Sequence, residues 1–450
     1  MITAPAYQGK KVGVFGLARS GLAAVHSLVA SGAQVYAWDD NESAREQVQS
    51  CAVDLYKLDF AGLDELVLAP GVPLTFPEPH PLVKKANSAG VRVTCDLEVF
   101  QAARPSLPEH RVVGITGTNG KSTTTALVGH ILKEAGLPVA VGGNIGTGVL
   151  ALDALPKGGV YVFELSSFQL DLCHSLQCDV AALLNITPDH LDRHGSMEAY
   201  VAAKKRMFDL QGDKNTAVIG VDDKYCAAIA DGKEDSIPVS TLSMPQGGLS
   251  IVDGALCDAD QGAIGSLSDV ASLQGRHNWQ NAAVAFACCR ALGVADEDIL
   301  DAIQTFPGLA HRQQVLSLEG ADFTVVNDSK ATNVDAACRA LATFDHIRWI
   351  AGGRAKDKDF SALADAMQSV RKAYLMGEHA ELIADALPRS LPMTKYKTML
   401  EALEHALDEA EAGDTILLSP ACTAFDQYAN FEKRGEAFSA AVISAMGAAQ

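Results

Sequence analysis

The chain reads as an α/β protein of three consecutive units, and three observations carry that reading. Short apolar runs alternate with helix-period segments along its whole length. Glycine-rich turns stand where two of those runs pass into helices, at residues 16–21 and 117–120. Proline-bearing breaks without periodicity, at 104–110 and 306–308, divide the alternation into blocks. With 450 residues at 48% hydrophobic composition, the chain can bury more than one core.

The first block, 1–104, offers strands at 12–15, 34–38, 65–69 and 91–94, with a helix over 20–30. The second, 105–308, opens with the run 111–116, a glycine turn and a helix over 121–135. Strands at 160–165, 180–184 and 216–219 follow, with helices near 197–209 and 278–292. In the third, 309–450, strands are expected at 323–326, 347–351, 373–375 and 415–418, with helices after Asn333 and near 399–410. Strands separated by helices pair in parallel, so each block is expected to be a wound sheet. The outer two read as Rossmann-like and the middle one as P-loop ATPase-like.

A formal net charge of −19 argues against nucleic acid or an anionic membrane as the main partner. The N-terminal segment carries Lys10, Lys11 and Arg19 among glycines and lacks the apolar core of a signal peptide. The longest uncharged stretch, 137–152, is glycine-rich, and a membrane span needs roughly 18–20 apolar residues. A cytoplasmic monomer is expected. The 10 cysteines contain no Cys-x-x-Cys pair, which favours reduced core thiols over a zinc site.

Gly117, Thr118, Asn119, Gly120, Lys121, Ser122 and Thr123 join a strand to a helix and have the parts of a triphosphate cradle. Glycines let backbone N–H groups converge on phosphate oxygens, and the helix N-terminus adds partial positive charge. Lys121 can neutralise the β/γ-phosphates and the Ser122 hydroxyl can ligate Mg²⁺. The general P-loop pattern asks for glycine at position 115, where Ile115 stands, so this is a variant loop. The bland alternative is a tight turn with a chance Gly-Lys-Ser.

Gly16-Leu17-Ala18-Arg19-Ser20-Gly21, with Asp39 and Asp40 after the second strand, invites a dinucleotide reading but does not fit Gly-x-Gly-x-x-Gly. The same geometry can hold a diphosphate at a helix N-terminus and a ribose near the acidic turn. Pro70-Gly71-Val72 is a further candidate wall. At the other end, 352–360 supplies Arg354, Lys356 and Lys358 for an acidic ligand, or else a solvated charge run.

The variant loop resembles that of the Mur ligase family, which includes folylpolyglutamate synthetases. The resemblance continues in order through Glu164-Leu165-Ser166-Ser167-Phe168-Gln169, Asn185-Ile186-Thr187-Pro188-Asp189-His190, Gly275-Arg276-His277-Asn278-Trp279-Gln280-Asn281 and Asn327-Asp328-Ser329-Lys330-Ala331-Thr332-Asn333. The closing Ser419-Pro420-Ala421-Cys422-Thr423-Ala424-Phe425-Asp426, with Phe431, is most similar to the branch that adds D-glutamate.

The resemblance implies ATP and two Mg²⁺ ions, with UDP-N-acetylmuramoyl-L-alanine as acceptor and D-glutamate as the incoming amine. It implies a metal set of Ser122, Glu164, His190 and a carbamylated Lys204, with Asn144 near the acyl group. Lys204 is singled out over Lys205 by its spacing from Tyr200. Asn281, Arg312 and Asp328 would contact ATP, while Arg19, Ser20, Asp39 and Asp40 would lie at UDP. Lys330, Thr332, Lys356 and Phe431 would lie at substrate, and Thr423 is the hydroxyl beside Ala424, where the family often has serine. Taken singly, each is an ordinary turn former, strand-end charge or solvated side chain. The rival readings are a family member with another amino-acid substrate and a nucleotide-gated binding module. The chain has no Asp-Asn-Pro-Arg segment, the signature associated with diamino-acid addition.

Overall fold

Parallel pairing follows directly from the alternation of strands and helices. The computed structural model describes residues 1–273, 275–316, 318, 320–355 and 359–448. Strands β1 (Lys11–Phe15), β2 (Gln34–Trp38), β3 (Glu65–Leu68) and β4 (Arg92–Thr94) form a parallel sheet in the order β2-β1-β3-β4.

The second sheet is built on β5 (His110–Thr116), β6 (Val139–Gly143), β7 (Gly159–Glu164), β8 (Val180–Leu183), β9 (Thr216–Gly220) and β10 (Ser236–Ser240). It continues through β11 (Leu249–Val252), β12 (Ala255–Asp258) and β13 (Gly262–Ser266), in the order β13-β12-β11-β10-β9-β8-β5-β7-β6. Here β11, β12 and β13 pair antiparallel at one edge. Short hairpin strands without helices between them lack the alternation on which the sequence reading rests, and none was expected there. β6 was also missed, because its run ends in two glycines and shows no period-2 alternation.

A third sheet takes β14 (Gln314–Leu316), β15 (Thr324–Asn327), β16 (Ile347–Gly352), β17 (Val370–Met376), β18 (Met393–Tyr396) and β19 (Thr415–Leu418) in the order β14-β15-β19-β16-β17-β18. The three sheets with their helices are the expected α/β class. The first two belong to one compact unit, Met1–Phe306, and the third to Pro307–Gln450.

Within the first unit the two sheets share a continuous apolar core. Phe100, on the helix Asp96–Ala103, sets its ring edge-on to Tyr161 and Phe163 of β7 at 5.3 and 4.9 Å. Beside them the buried Glu98 carboxylate accepts the backbone N–H groups of His174, Ser175 and Leu176 at 2.8–3.0 Å. The stretch 104–110 is therefore more than a spacer: Arg104 donates to Asp179 at 2.9 Å and to the Gln177 carbonyl at 2.6 Å. All ten cysteines are free thiols. No helix of the described residues is long and apolar enough to cross a membrane.

Candidate active site

The residue that departs from the general phosphate-loop pattern explains itself in the fold. Ile115 is still inside β5, paired with Glu164 of β7 and fully buried. It fills the core beneath the sheet while the loop proper begins at Gly117. β5 ends at Thr116, and the helix Lys121–Glu134 starts from Gly120, whose φ of +84° suits a residue without Cβ. A Cβ there would lie 2.2 Å from Asn281 Oδ1, so the turn is pressed directly against Asn281 on the helix Arg276–Ala291.

The loop is tied down mostly by Asn185, which follows β8. Thr118 N–H donates to the Asn185 carbonyl at 2.8 Å, Asn119 N–H to Asn185 Oδ1 at 2.9 Å, and Asn185 Nδ2 to the Asn119 carbonyl at 3.2 Å. Thr118 Oγ1 lies 3.1 Å from the Tyr200 hydroxyl. Neither Asn185 nor Tyr200 is among the site residues expected from the sequence.

Two lysines converge on this turn. Lys121 Nζ donates to the carbonyls of Gly117 and Thr118 at 2.9 and 2.7 Å. Lys204, on the helix Met197–Asp209, is 1% exposed and donates from Nζ to the same Gly117 carbonyl at 2.8 Å. Burial, reinforced by the Lys121 cation, pushes the Lys204 pKa down to about 7. A substantial fraction of this amine is therefore neutral, and hence nucleophilic, near neutral pH. Ser122 and Thr123 occupy the first turn of the loop's helix, half-buried.

Glu164 closes β7 and is 3% exposed. Asn144 Nδ2 donates to its Oε1 at 2.7 Å, bringing together two expected site residues, while Glu164 Oε2 is buried without a hydrogen-bond partner among the described residues. A buried carboxylate oxygen left over in this way suits a cation. His190 is half-exposed in a left-handed backbone conformation, its ring 4.9 Å from that of Phe168 and 6.4 Å from that of Tyr200. Among the described residues no three His, Cys, Asp or Glu side chains lie together as a metal cluster. The expected set contains only Glu164 and His190 of those types, and otherwise relies on Ser122 and on a modified Lys204.

In the first sheet, Gly21 opens the helix Arg19–Ala30 so close to the preceding turn that a Cβ would stand 1.7 Å from the Gly16 carbonyl oxygen. Asp39 accepts the Leu17 N–H at 2.6 Å and thus shapes the turn. Asp40 receives the Tyr56 hydroxyl at 3.2 Å, and Tyr56 in turn lies beside His80. Neither Tyr56 nor His80 was expected. Arg19 Nη1 donates across to the Gly146 carbonyl, two residues beyond Asn144, and Ser20 is half-buried in the first helical turn.

In the unit Pro307–Gln450, Asp328 is buried; its carboxylate accepts Ser419 Oγ at 2.8 Å and the Gln313 N–H at 3.1 Å. Burial pushes its pKa up to about 6 against those bonds. Arg312, one residue before Gln313, is exposed. Lys330 Nζ lies 5.6 Å from the Phe431 ring centre, uniting two expected substrate residues, and Thr332 is half-buried on the same loop. Thr423 is 4% exposed and donates its hydroxyl to the Arg354 carbonyl at 2.8 Å, so donating to a substrate carboxylate would require that bond to be given up. Lys356 lies outside the described residues. The sequence reading also missed Arg434, a buried arginine that joins Ser329 Oγ at 2.9 Å to the Cys422 carbonyl at 3.1 Å.

Comparison with known proteins gives the family to which the chain belongs. Residues 115–289 match the Mur ligase middle domain and residues 311–422 the Mur ligase, glutamate ligase domain. A UDP-N-acetylmuramoylalanine--D-glutamate ligase of Phenylobacterium zucineum is 48% identical, the match covering 98% of each chain. One of the same name from Rhodospirillum rubrum is 44% identical over 96% of this chain and 94% of its own. Among solved structures, the UDP-N-acetylmuramate-alanine ligase of Thermotoga maritima superposes with a TM-score of 0.60 at 18% identity, covering 97% of this chain and 99% of its own. A MurF ligase of that organism in complex with ADP gives 0.54 at 16% identity, covering 99% and 98%. The two structures speak for the fold, while the relatives and the domain matches extend along the sequence itself: the chain belongs to the Mur ligase family.

Proposed function

We infer that this chain is an ATP-dependent, ADP-forming ligase that joins D-glutamate to UDP-N-acetylmuramoyl-L-alanine in peptidoglycan precursor synthesis, acting in the cytoplasm as a monomer. The names of its full-length relatives support the choice of substrates. The observation that carries the chemistry is the meeting of Lys121 and the buried Lys204 at the Gly117 carbonyl, in a sheet whose neighbouring strand ends in Glu164.

On this reading, residues 1–104 hold the UDP end of the acceptor, 105–308 hold ATP, and 309–450 hold the amino acid. The diphosphate lies at the N-terminus of the helix Arg19–Ala30, with Arg19 and Ser20 at the phosphates and Asp39 and Asp40 on the ribose side. Triphosphate displaces the Lys121 ammonium from the two loop carbonyls it now satisfies, and the ammonium follows the charge that develops at the γ-phosphate. Asn281, Arg312 and Asp328 complete the nucleotide contacts.

The buried Oε2 of Glu164, without a hydrogen-bond partner among the described residues, fits a divalent cation. Glu164, Ser122, His190 and a carbamate on Lys204 would hold Mg²⁺, and Mg²⁺ supplies shielding of triphosphate charge against an approaching carboxylate. For Lys204 to become a ligand, its neutral amine adds to CO₂ and releases a proton, which replaces a cation by an anionic oxygen donor. The depressed pKa and burial of Lys204 favour that change.

The acceptor's terminal carboxylate, oriented by Asn144, attacks the γ-phosphorus; the P–O bond to ADP breaks and an acyl phosphate forms. The D-glutamate amine then attacks the acyl carbon, the C–O bond to phosphate breaks, and a proton leaves the new amide nitrogen. Lys330, Thr332, Lys356, Thr423 and Phe431 surround the amino acid, with cations matched to its two carboxylates.

A panel of D-glutamate, L-glutamate, L-alanine and a diamino acid, scored by the mass of the UDP-linked product, tests the assignment. Product with D-glutamate alone is expected. Product with a different amino acid, or ATP hydrolysis without product, would contradict it.

A further inference from the structure

The turn that carries His190 also carries an arginine with an unusual set of partners. Arg193 lies on the short helix Leu191–His194, and its guanidinium packs 5.4 Å from the centre of the Phe168 ring. Its Nε and Nη1 are shielded from solvent and have no hydrogen-bond acceptor among the described residues. Nη2 reaches out of the middle sheet's domain and donates to the Val72 carbonyl at 2.5 Å.

Val72 belongs to the Pro70-Gly71-Val72 segment, the candidate acceptor wall after β3. The same segment leads to Phe76, which packs so closely on the turn that a Cβ at Gly195 would stand 2.9 Å from its ring. Phe168 is shared: His190 lies 4.9 Å from it, and His194 stacks on it at 5.4 Å with 21° between planes. A continuous line of contacts thus runs from Val72 through Arg193 and Phe168 to His190.

Leaving two guanidinium donors against an aromatic face costs free energy, since a buried donor without an oxygen acceptor forfeits its hydration. A methionine could fill the same space without that penalty. What only an arginine provides here is a donor that spans the seam while its planar group lies on the ring.

We propose that Arg193 is a positioning residue that couples the acceptor wall at Val72 to the orientation of His190, so that acceptor binding and the geometry of the activation site are set together. This rests on the ligase reading above. It also agrees with the opposite crossing, where Arg19 of the first sheet donates to Gly146 in the loop of Asn144.

The test is steady-state kinetics of the full chain with Arg193→Met and Arg193→Lys, alongside thermal unfolding. For Arg193→Met we expect the acceptor KM to rise and kcat to fall by about 10-fold each, with the KM for ATP and D-glutamate within about twofold. Arg193→Lys should recover part of the acceptor KM, since an ammonium can still donate to Val72. Hydrogen exchange of the 70–77 segment should quicken in Arg193→Met and slow towards wild type in Arg193→Lys. Equal rises in all three KM values with a lowered Tm would overturn the proposal in favour of a general structural role. Unchanged kinetics would overturn it too. Wild-type protein that makes no product would instead overturn the ligase reading.

Discussion

The two glycine turns of the first unit look alike in the sequence and are built differently. Each follows a parallel strand and opens a helix. The turn at Gly16–Gly21 is shaped within its own sheet: the helix packs on the Gly16 carbonyl, and Asp39 from the neighbouring strand's end fixes Leu17. The turn at Gly117–Lys121 is held by Asn185, Tyr200, Asn281 and Lys204, which come from three separate segments, Tyr200 and Lys204 sharing the helix Met197–Asp209. A site that only has to hold a diphosphate can be made locally. A site where charge develops needs side chains whose positions and pKa values are set from several directions.

Substitutions in either turn should have different consequences. Lys121→Met should give the largest effect, a fall in kcat of about 10³-fold with acceptor binding intact, read by ADP release and by acceptor binding measured separately. Glu164→Gln should lower kcat about 10²-fold and raise the Mg²⁺ concentration needed for half-maximal rate, seen in a metal titration. Next, Gly120→Ala and Gly21→Ala should separate the turns: about 10-fold in KM for ATP for the first, and a similar rise in acceptor KM for the second. Each alanine should also lower stability by about 2 kcal/mol, measured by denaturant unfolding. Equal effects of both on both KM values would remove the distinction.

The smallest effect concerns pH. Burial holds the folded-state pKa of Lys204 down at about 7, far below the ordinary lysine value, so the folded state disfavours its protonated form. The stability linked to this group is complete above the unfolded pKa and is lost as pH falls from that value through about 7. Without CO₂, Lys204→Met should therefore gain stability relative to wild type at pH 6.5 and lose that advantage by about pH 10, as followed by thermal unfolding. Labelled carbon dioxide should give a carbamate NMR signal in wild type that is missing from the variant.

Much of the fold was legible because apolar runs of four to seven residues separated by helix-period segments leave few arrangements open. β6 and the antiparallel β11–β13 edge were not, since Val139–Gly143 is glycine-ended and the hairpin strands are too short for a pattern to emerge. At the site, Lys121 could be named because its chemistry is local to the glycine turn, whereas Glu164 and Asn144 are ordinary residues when taken singly and enter through the family resemblance. Arg193, Tyr56 and Arg434 could not, because their partners lie 121, 16 and 105 positions away along the chain. Ile115 shows the reverse case, where one misfit residue was informative because it is a core strand residue and the loop begins two positions later.

On the ligase reading, the second turn serves to activate a carboxylate. Acceptor carrying oxygen-18 in its terminal carboxylate, turned over with ATP and D-glutamate, tests it directly by mass analysis of the released phosphate. Transfer through an acyl phosphate predicts one labelled oxygen in inorganic phosphate per turnover. Unlabelled phosphate released alongside authentic product would contradict it.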